Sequence, residues 1–149
     1  MGDVEGGINY LRSLPASNGK AATIGFCSGG RQSVLAACRL PVDAAVDRYG
    51  AFVVGSPPPN FPIPIAPLYD LLPQLSGPLL GCSATRTRIL HLPTSTNWTA
   101  GSPSWGRSMS SIGTTTLHAF LAVDRPSYHP AGVSSSTAVM AGLKEGSLR

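Results

Sequence analysis

Charge is scarce in this chain. Asp, Glu, Lys and Arg make up 12% of its 149 residues, against 42% hydrophobic residues, where a typical soluble domain has about 25% charged. Eleven Lys and Arg against seven Asp and Glu leave a formal net charge of +4, but the basic residues are scattered. There is no basic run and no aromatic interleaving, so nucleic-acid binding has no support. No apolar stretch approaches the roughly 20 residues that a membrane span needs, and no membrane partner is expected. The start, Met1-Gly2-Asp3-Val4-Glu5, is acidic and does not read as a signal peptide. Cysteine is scarce as well. Cys27, Cys38 and Cys82 offer neither a disulfide framework nor a C-x-x-C pair, which points to a reducing, cytoplasmic setting. Between Cys82 and Leu117 there is no Asp, Glu or Lys at all, and fifteen of those 36 residues are Ser or Thr. Such a stretch has little to bury and shows neither a helical nor a strand period.

What is present concentrates in one stretch, Ala21-Ala22-Thr23-Ile24-Gly25-Phe26-Cys27-Ser28-Gly29-Gly30-Arg31. A short apolar run ends in a glycine-rich turn and continues into Gln32-Ser33-Val34-Leu35-Ala36-Ala37-Cys38, which has helical character. Strand, tight turn and helix follow one another, with the thiol of Cys27 on the turn and glycines two residues to either side. This is the pattern of a nucleophile elbow, the device that α/β-hydrolases build around serine. Glycine is required where strand and helix nearly touch, because a Cβ has no room there. A helix starting just past Cys27 points its free N–H groups and positive dipole end at the site, which favours a thiolate and an oxyanion. The rival readings are a buried structural cysteine before an ordinary turn and a phosphate-binding loop. The second lacks the lysine and spacing of a P-loop, and its glycines do not fit G-x-G-x-x-G.

The length suits one domain with its own core. Val4, Ile8, Leu11 and Leu14 are spaced for a helix over 3–14. Residues 20–26 read as a buried strand, 31–39 as the following helix, and the run from Val42 as a short strand ending at Tyr49-Gly50. That is a parallel βαβ unit. Six prolines between Ser56 and Pro67 exclude a central strand there. Pro78-Leu79-Leu80-Gly81 opens another buried strand. The fold class expected is α/β.

Gly25-Phe26-Cys27-Ser28-Gly29-Gly30-Arg31, Tyr49-Gly50 and His118-Ala119-Phe120, with the approach from Gly2-Asp3-Val4-Glu5 to Leu14-Pro15, resemble the dienelactone hydrolases (carboxymethylenebutenolidases). The resemblance covers residues 2–81 and 118–130. It implies a parallel sheet flanked by helices, here as a partial α/β-hydrolase fold in one incomplete domain, since the family carries further strands and an oxyanion-hole donor ahead of Gly2. It implies a Cys-Asp-His triad with Cys27 as nucleophile and His118 as base, and the Ser28 N–H as one oxyanion donor. No metal and no cofactor are implied. The partner is a small-molecule lactone or ester. The family's aspartate falls in the acid-free segment, at a position that holds Thr87.

Residues 82–117 have a simple explanation. Cys82-Ser83-Ala84-Thr85-Arg86-Thr87 can be encoded TGT TCG GCA ACG AGG ACN. One C placed in front gives CTG TTC GGC AAC GAG GAC, or Leu-Phe-Gly-Asn-Glu-Asp, which resembles the family's strand and aspartate turn. Thr114-Thr115-Thr116 likewise re-reads as Tyr-Asp-Asp ahead of the histidine. The segment thus reads as a frame-shifted translation, and residues 131–149 form a doubtful tail open to similar re-reading. Two functions follow from the resemblance: a hydrolase of small lactones or esters, or a catalytically impaired remnant of one, through a pseudogene or a sequence error. A thiol-based redox module on Cys27 lacks a resolving cysteine nearby.

Overall fold

The computed structural model describes residues 1–84, 109–114, 121–128, 130–131 and 133–134. Helix α1 spans Gly2–Ser13, strand β1 Ala22–Phe26, helix α2 Ser28–Arg39, strand β2 Ala44–Arg48, strand β3 Leu79–Ala84 and strand β4 Met109–Thr114, with a 3₁₀ turn at Tyr69–Gln74. The strands form one parallel sheet in the order β1-β2-β3-β4. The expected α/β class with a parallel sheet flanked by helices is what the chain adopts. No helix among the described residues is long and apolar enough to cross a membrane.

Side chains alternate across a strand, and the register shows which residues share a face. Gly25, Asp47 and Gly81 lie side by side, on the face that α2 covers. Ser33 of α2 donates to the Thr23 hydroxyl on that face at 2.9 Å. Behind it, Val34 and Ala37 of α2 join Ala45, Leu79, Leu72 and Leu75 in one apolar cluster, to which α1 adds Ile8. On the opposite face Val46, Leu80 and Cys82 are buried, whereas Ile24 and Phe26 on the edge strand β1 are half exposed, at 49% and 48%.

Irregular backbone is held by a few polar side chains. Arg12 donates to the Gly19 and Pro41 carbonyls and pairs with Asp43 at 2.9 Å. Asp43 also accepts from the Ala21 N–H at 2.8 Å, and this bond, together with Arg12, holds its carboxyl below the ordinary range. The proline-rich stretch has no strand, as expected. The following 3₁₀ turn, with Pro73 inside it, was not expected.

Boundaries differ from the sequence reading in instructive ways. Helix α2 begins at Ser28, just past Cys27 as the elbow pattern implies and three residues ahead of the 31–39 bounds, because the tight corner at Cys27 lets the helix start at once. Strand β4 lies in the stretch where no period is visible. Its sequence, MSSIGT, does not alternate, and a parallel ladder asks only for backbone donors and acceptors. The rest of 85–117 lies outside the described residues.

Truncating Arg12 removes three contacts at once. We expect Arg12→Ala to lower stability by about 1–3 kcal/mol, read as a shift of the urea midpoint with an unchanged slope; a midpoint within error of the parent would contradict the tethering role.

Candidate active site

The corner between β1 and α2 is strained. Cys27 has φ 54° and ψ −121°, a combination that residues with a Cβ rarely adopt. Backbone bonds hold it there. The Cys27 N–H donates to the Arg48 carbonyl of β2 at 2.9 Å, and the Cys27 carbonyl accepts from the N–H groups of Gly30 at 3.0 Å and Arg31 at 3.3 Å. The thiol is thereby presented at the carboxyl end of a parallel strand, at the start of a helix, and it is exposed. The other two thiols differ. Burial pushes Cys38 and Cys82 each up to about 11, which leaves them as packing groups.

The glycines around Cys27 do not share one role. A Cβ on Gly25 would overlap the Gly29 carbonyl group, and one on Gly30 would overlap the Asp47 carboxyl and come within 3.0 Å of Gly50 Cα. A Cβ on Gly29 would meet nothing within 4 Å. The symmetric pair expected from the sequence is therefore replaced by Gly25, Gly30 and Gly50. Gly29 is permissive, because its carbonyl, not its Cα, faces the strand.

Two aromatic residues stand at the ends of β1 and β2 next to the corner. The rings of Phe26 and Tyr49 lie 6.1 Å apart at 59°, and the Arg48 guanidinium sits 5.7 Å over the Phe26 ring. Tyr49 takes φ 46° at the end of β2, and its N–H donates to the Cys82 carbonyl at 2.7 Å. Burial raises the Tyr49 phenol and the negative charge of the Cys27 thiolate adds to this, while Arg48 and Arg125 oppose it. On the other side, Arg31 donates to the Phe52 and Ala66 carbonyls, both at 2.7 Å, and so ties the proline-rich loop to the first turn of α2.

Beneath the corner lies a residue that the sequence reading missed. Asp47 is only 2% exposed, and its Oδ1 accepts from the Gly50 N–H at 2.6 Å. Burial pushes its carboxyl up to about 7, against the opposing pull of that N–H. The available signal was an acid directly after the apolar run Ala44-Ala45-Val46 inside a short strand. Of the expected site residues, Cys27 and Ser28 sit together at the corner, with Ser28 the first residue of α2. His118 and Thr87 lie outside the described residues. No group of three or more His, Cys, Asp or Glu side chains that could hold a metal occurs among the described residues.

Comparison with known proteins now decides the family. The dienelactone hydrolase family model matches residues 1–94, well over half of the chain. The chain belongs to the dienelactone hydrolase family. Carboxymethylenebutenolidase from Pseudomonas putida is 46% identical over 50 residues, which cover 34% of this chain and 21% of that protein. Carboxymethylenebutenolidase 1 from Cupriavidus pinatubonensis is 38% identical over 55 residues, 32% of this chain and 24% of that one. Among solved structures, a Klebsiella pneumoniae protein assigned to the dienelactone hydrolases superposes with a TM-score of 0.74 at 23% identity, covering 94% of this chain and 57% of its own. A dienelactone hydrolase-like promiscuous phosphotriesterase from metagenomic libraries gives 0.66 at 18% identity, with 94% and 58% covered. At those identities the two structures establish the α/β-hydrolase fold, and the chain spans little more than half the length of either.

Two outcomes test this anatomy. Gly25→Ala should cost more than about 3 kcal/mol or prevent folding, since backbone must move to admit the methyl group, whereas Gly29→Ala should be neutral or stabilise by up to about 1 kcal/mol through helix propensity. Thermal unfolding of the pair checks this, and equal losses would refute the assignment. The Asp47 carboxyl binds its proton more tightly in the folded chain than in the unfolded one. Stability linked to it is therefore greatest below about pH 4, falls as pH rises to about 7 and is flat beyond. Asp47→Asn, which does not titrate, should gain on the parent across that window by about 4 kcal/mol, three units at 1.36 kcal/mol each, and a difference independent of pH would refute the shift.

Proposed function

We propose that this protein is a hydrolase of small lactones or carboxylic esters that acts through Cys27. The observation that carries the reading is the Cys27 corner: an exposed thiol in a strained conformation, one residue ahead of a helix, on the fold of a hydrolase family. A thiolate there would attack the substrate carbonyl to give a tetrahedral intermediate and then a thioester acyl-enzyme, which water releases. The Ser28 N–H belongs to the first turn of α2, where N–H groups have no partner within the helix, and it would donate to the developing oxyanion. His118 would move the proton, as the histidine of the family motif. Phe26 and Tyr49 would give an apolar substrate a wall to lie against. No cofactor enters this scheme. Three free thiols support a cytoplasmic setting.

A second reading, an impaired enzyme, is favoured by Thr87. Its hydroxyl is neutral and cannot stabilise an imidazolium as a carboxylate does. In a serine triad, replacing the aspartate by its amide lowers kcat by about 10⁴. A thiol depends on that partner less, because its own ionisation lies nearer neutrality.

Both readings make Cys27 indispensable. We expect slow hydrolysis of p-nitrophenyl acetate and of a dienelactone by the purified chain, lost on Cys27→Ala and raised about tenfold or more by Thr87→Asp. Turnover unchanged by Cys27→Ala would overturn the function, and turnover unmoved by Thr87→Asp would remove the second reading.

A further inference from the structure

Asp47 has no part in the reaction just described, yet it is the acid most deeply placed in the corner. On the sheet it stands between Gly25 of β1 and Gly81 of β3, two neighbours without side chains that leave room for its carboxyl. Above it lies Gly30 of α2, and at its end the turn at Gly50, neither of which admits a Cβ. Its Oδ1 holds the Gly50 N–H. Between Asp47 and Gly50 comes Arg48, whose carbonyl accepts the Cys27 N–H, and Tyr49, whose N–H is anchored on Cys82. One carboxyl therefore sets the turn that sets the carbonyl that holds the candidate nucleophile.

We propose that Asp47 is a positioning residue for the Cys27 corner, and that gain or loss of its proton changes how firmly the corner is held. The inference rests on Cys27 being the reactive group. With its proton on, the carboxyl is a neutral wedge that accepts from Gly50 and packs under the first turn of α2. With its proton off, a charge sits in a buried space that Gly30 and Gly50 line from two sides. The carboxylate gains by drawing donors or solvent toward itself, and the backbone closest to it is the first turn of α2 and the Tyr49–Gly50 turn. Movement of either disturbs the Cys27 N–H bond to Arg48, and the new negative charge opposes a thiolate nearby.

Among the described residues, the charged and titratable neighbours of Asp47 are held elsewhere or shifted away from neutrality by burial. Arg31 on α2 is committed to the Phe52 and Ala66 carbonyls. Arg48 follows in the strand and lies over Phe26 on the opposite face. Tyr49 is raised. Cys82 on β3 is pushed up to about 11, with Asp47 itself contributing to that rise. Cys27, at the end of β1, is the group acted upon. Burial places the Asp47 transition at about 7.

The test is alkylation of Cys27 by iodoacetamide, followed by mass spectrometry. Cleavage after Lys20 and Arg31 gives the peptide of residues 21–31, in which Cys27 is the sole thiol. This readout needs no ester turnover, so a failure of the hydrolase reading leaves it intact. Rates are compared for the parent and for Asp47→Asn, which keeps the shape and the acceptor for Gly50 but cannot ionise. The ratio of parent to variant should be near one at about pH 5.5 and fall about threefold or more by about pH 8.5, with its midpoint near neutrality. A ratio flat across that range overturns the proposal. Amide NMR of the parent chain gives an independent decision should Asp47→Asn not fold. The Gly50 and Cys27 amide signals should shift together with one midpoint, and a Gly50 signal that titrates while the Cys27 signal stays still overturns it equally.

Discussion

At Gly25 the first turn of α2 comes so near strand β1 that a single Cβ would overlap the Gly29 carbonyl. Backbone packs on backbone here, and the neighbouring features follow from that approach. The chain has one residue in which to turn from strand to helix, so Cys27 must take a positive φ at a cost of order 1–3 kcal/mol. The cost is offset by three hydrogen bonds on the Cys27 peptide groups, two into α2 and one into β2. The second strand then has to end where its Arg48 carbonyl can reach Cys27, which places Gly50 against α2 and excludes a side chain there too. Strain at one residue is thus distributed over a corner of three glycines and two strand ends.

The backbone of this corner was legible in the sequence because its constraints are local. Gly25-Phe26-Cys27-Ser28-Gly29-Gly30 gives strand, turn and helix in order, and the apolar runs on each side give the βαβ unit. What was not legible depends on contacts between residues distant in sequence. Gly29 looks equivalent to Gly25 in a string of letters, and only the direction of its carbonyl in three dimensions separates them. Gly50 reads as the end of a strand, and its contact with Asp47 and with the Arg31 amide cannot be seen from spacing. Asp47 itself reads as an exposed strand residue by type. It is buried because Gly81, thirty-four residues on, lines up beside it. Strand β4 escaped notice because hydrophobic alternation was the signal sought, and its six residues carry none.

The three cysteines show how position overrides residue type. Cys38 faces inward from α2 and joins the apolar cluster, and Cys82 fills the opposite face of β3. Both lose access to water, and desolvation disfavours their thiolates. Cys27 alone is lifted to the surface by its backbone conformation, beside helix N–H groups that favour negative charge. A sequence rich in hydrophobic residues would ordinarily bury all three. The corner geometry is what keeps one of them chemically available.

The scarcity of charge gains a meaning at this point. In the described residues Arg12, Arg31, Asp43 and Asp47 hold backbone groups that no ladder satisfies. Arg12 and Asp43 secure the segment entering β1 and β2, Arg31 secures the proline-rich loop, and Asp47 secures the turn leaving β2. Each replaces water at a carbonyl or amide that would otherwise be left unpaired in a poorly solvated place. Such pairs contribute through the geometry they impose more than through net ion pairing, which is weak where water reaches it. Loops joining parallel strands at the carboxyl edge are where an α/β protein builds its site. Two of these anchors, Arg31 and Asp47, lie within a few residues of that edge, so the chain places its few charges where irregular backbone has to be held still around a reactive thiol.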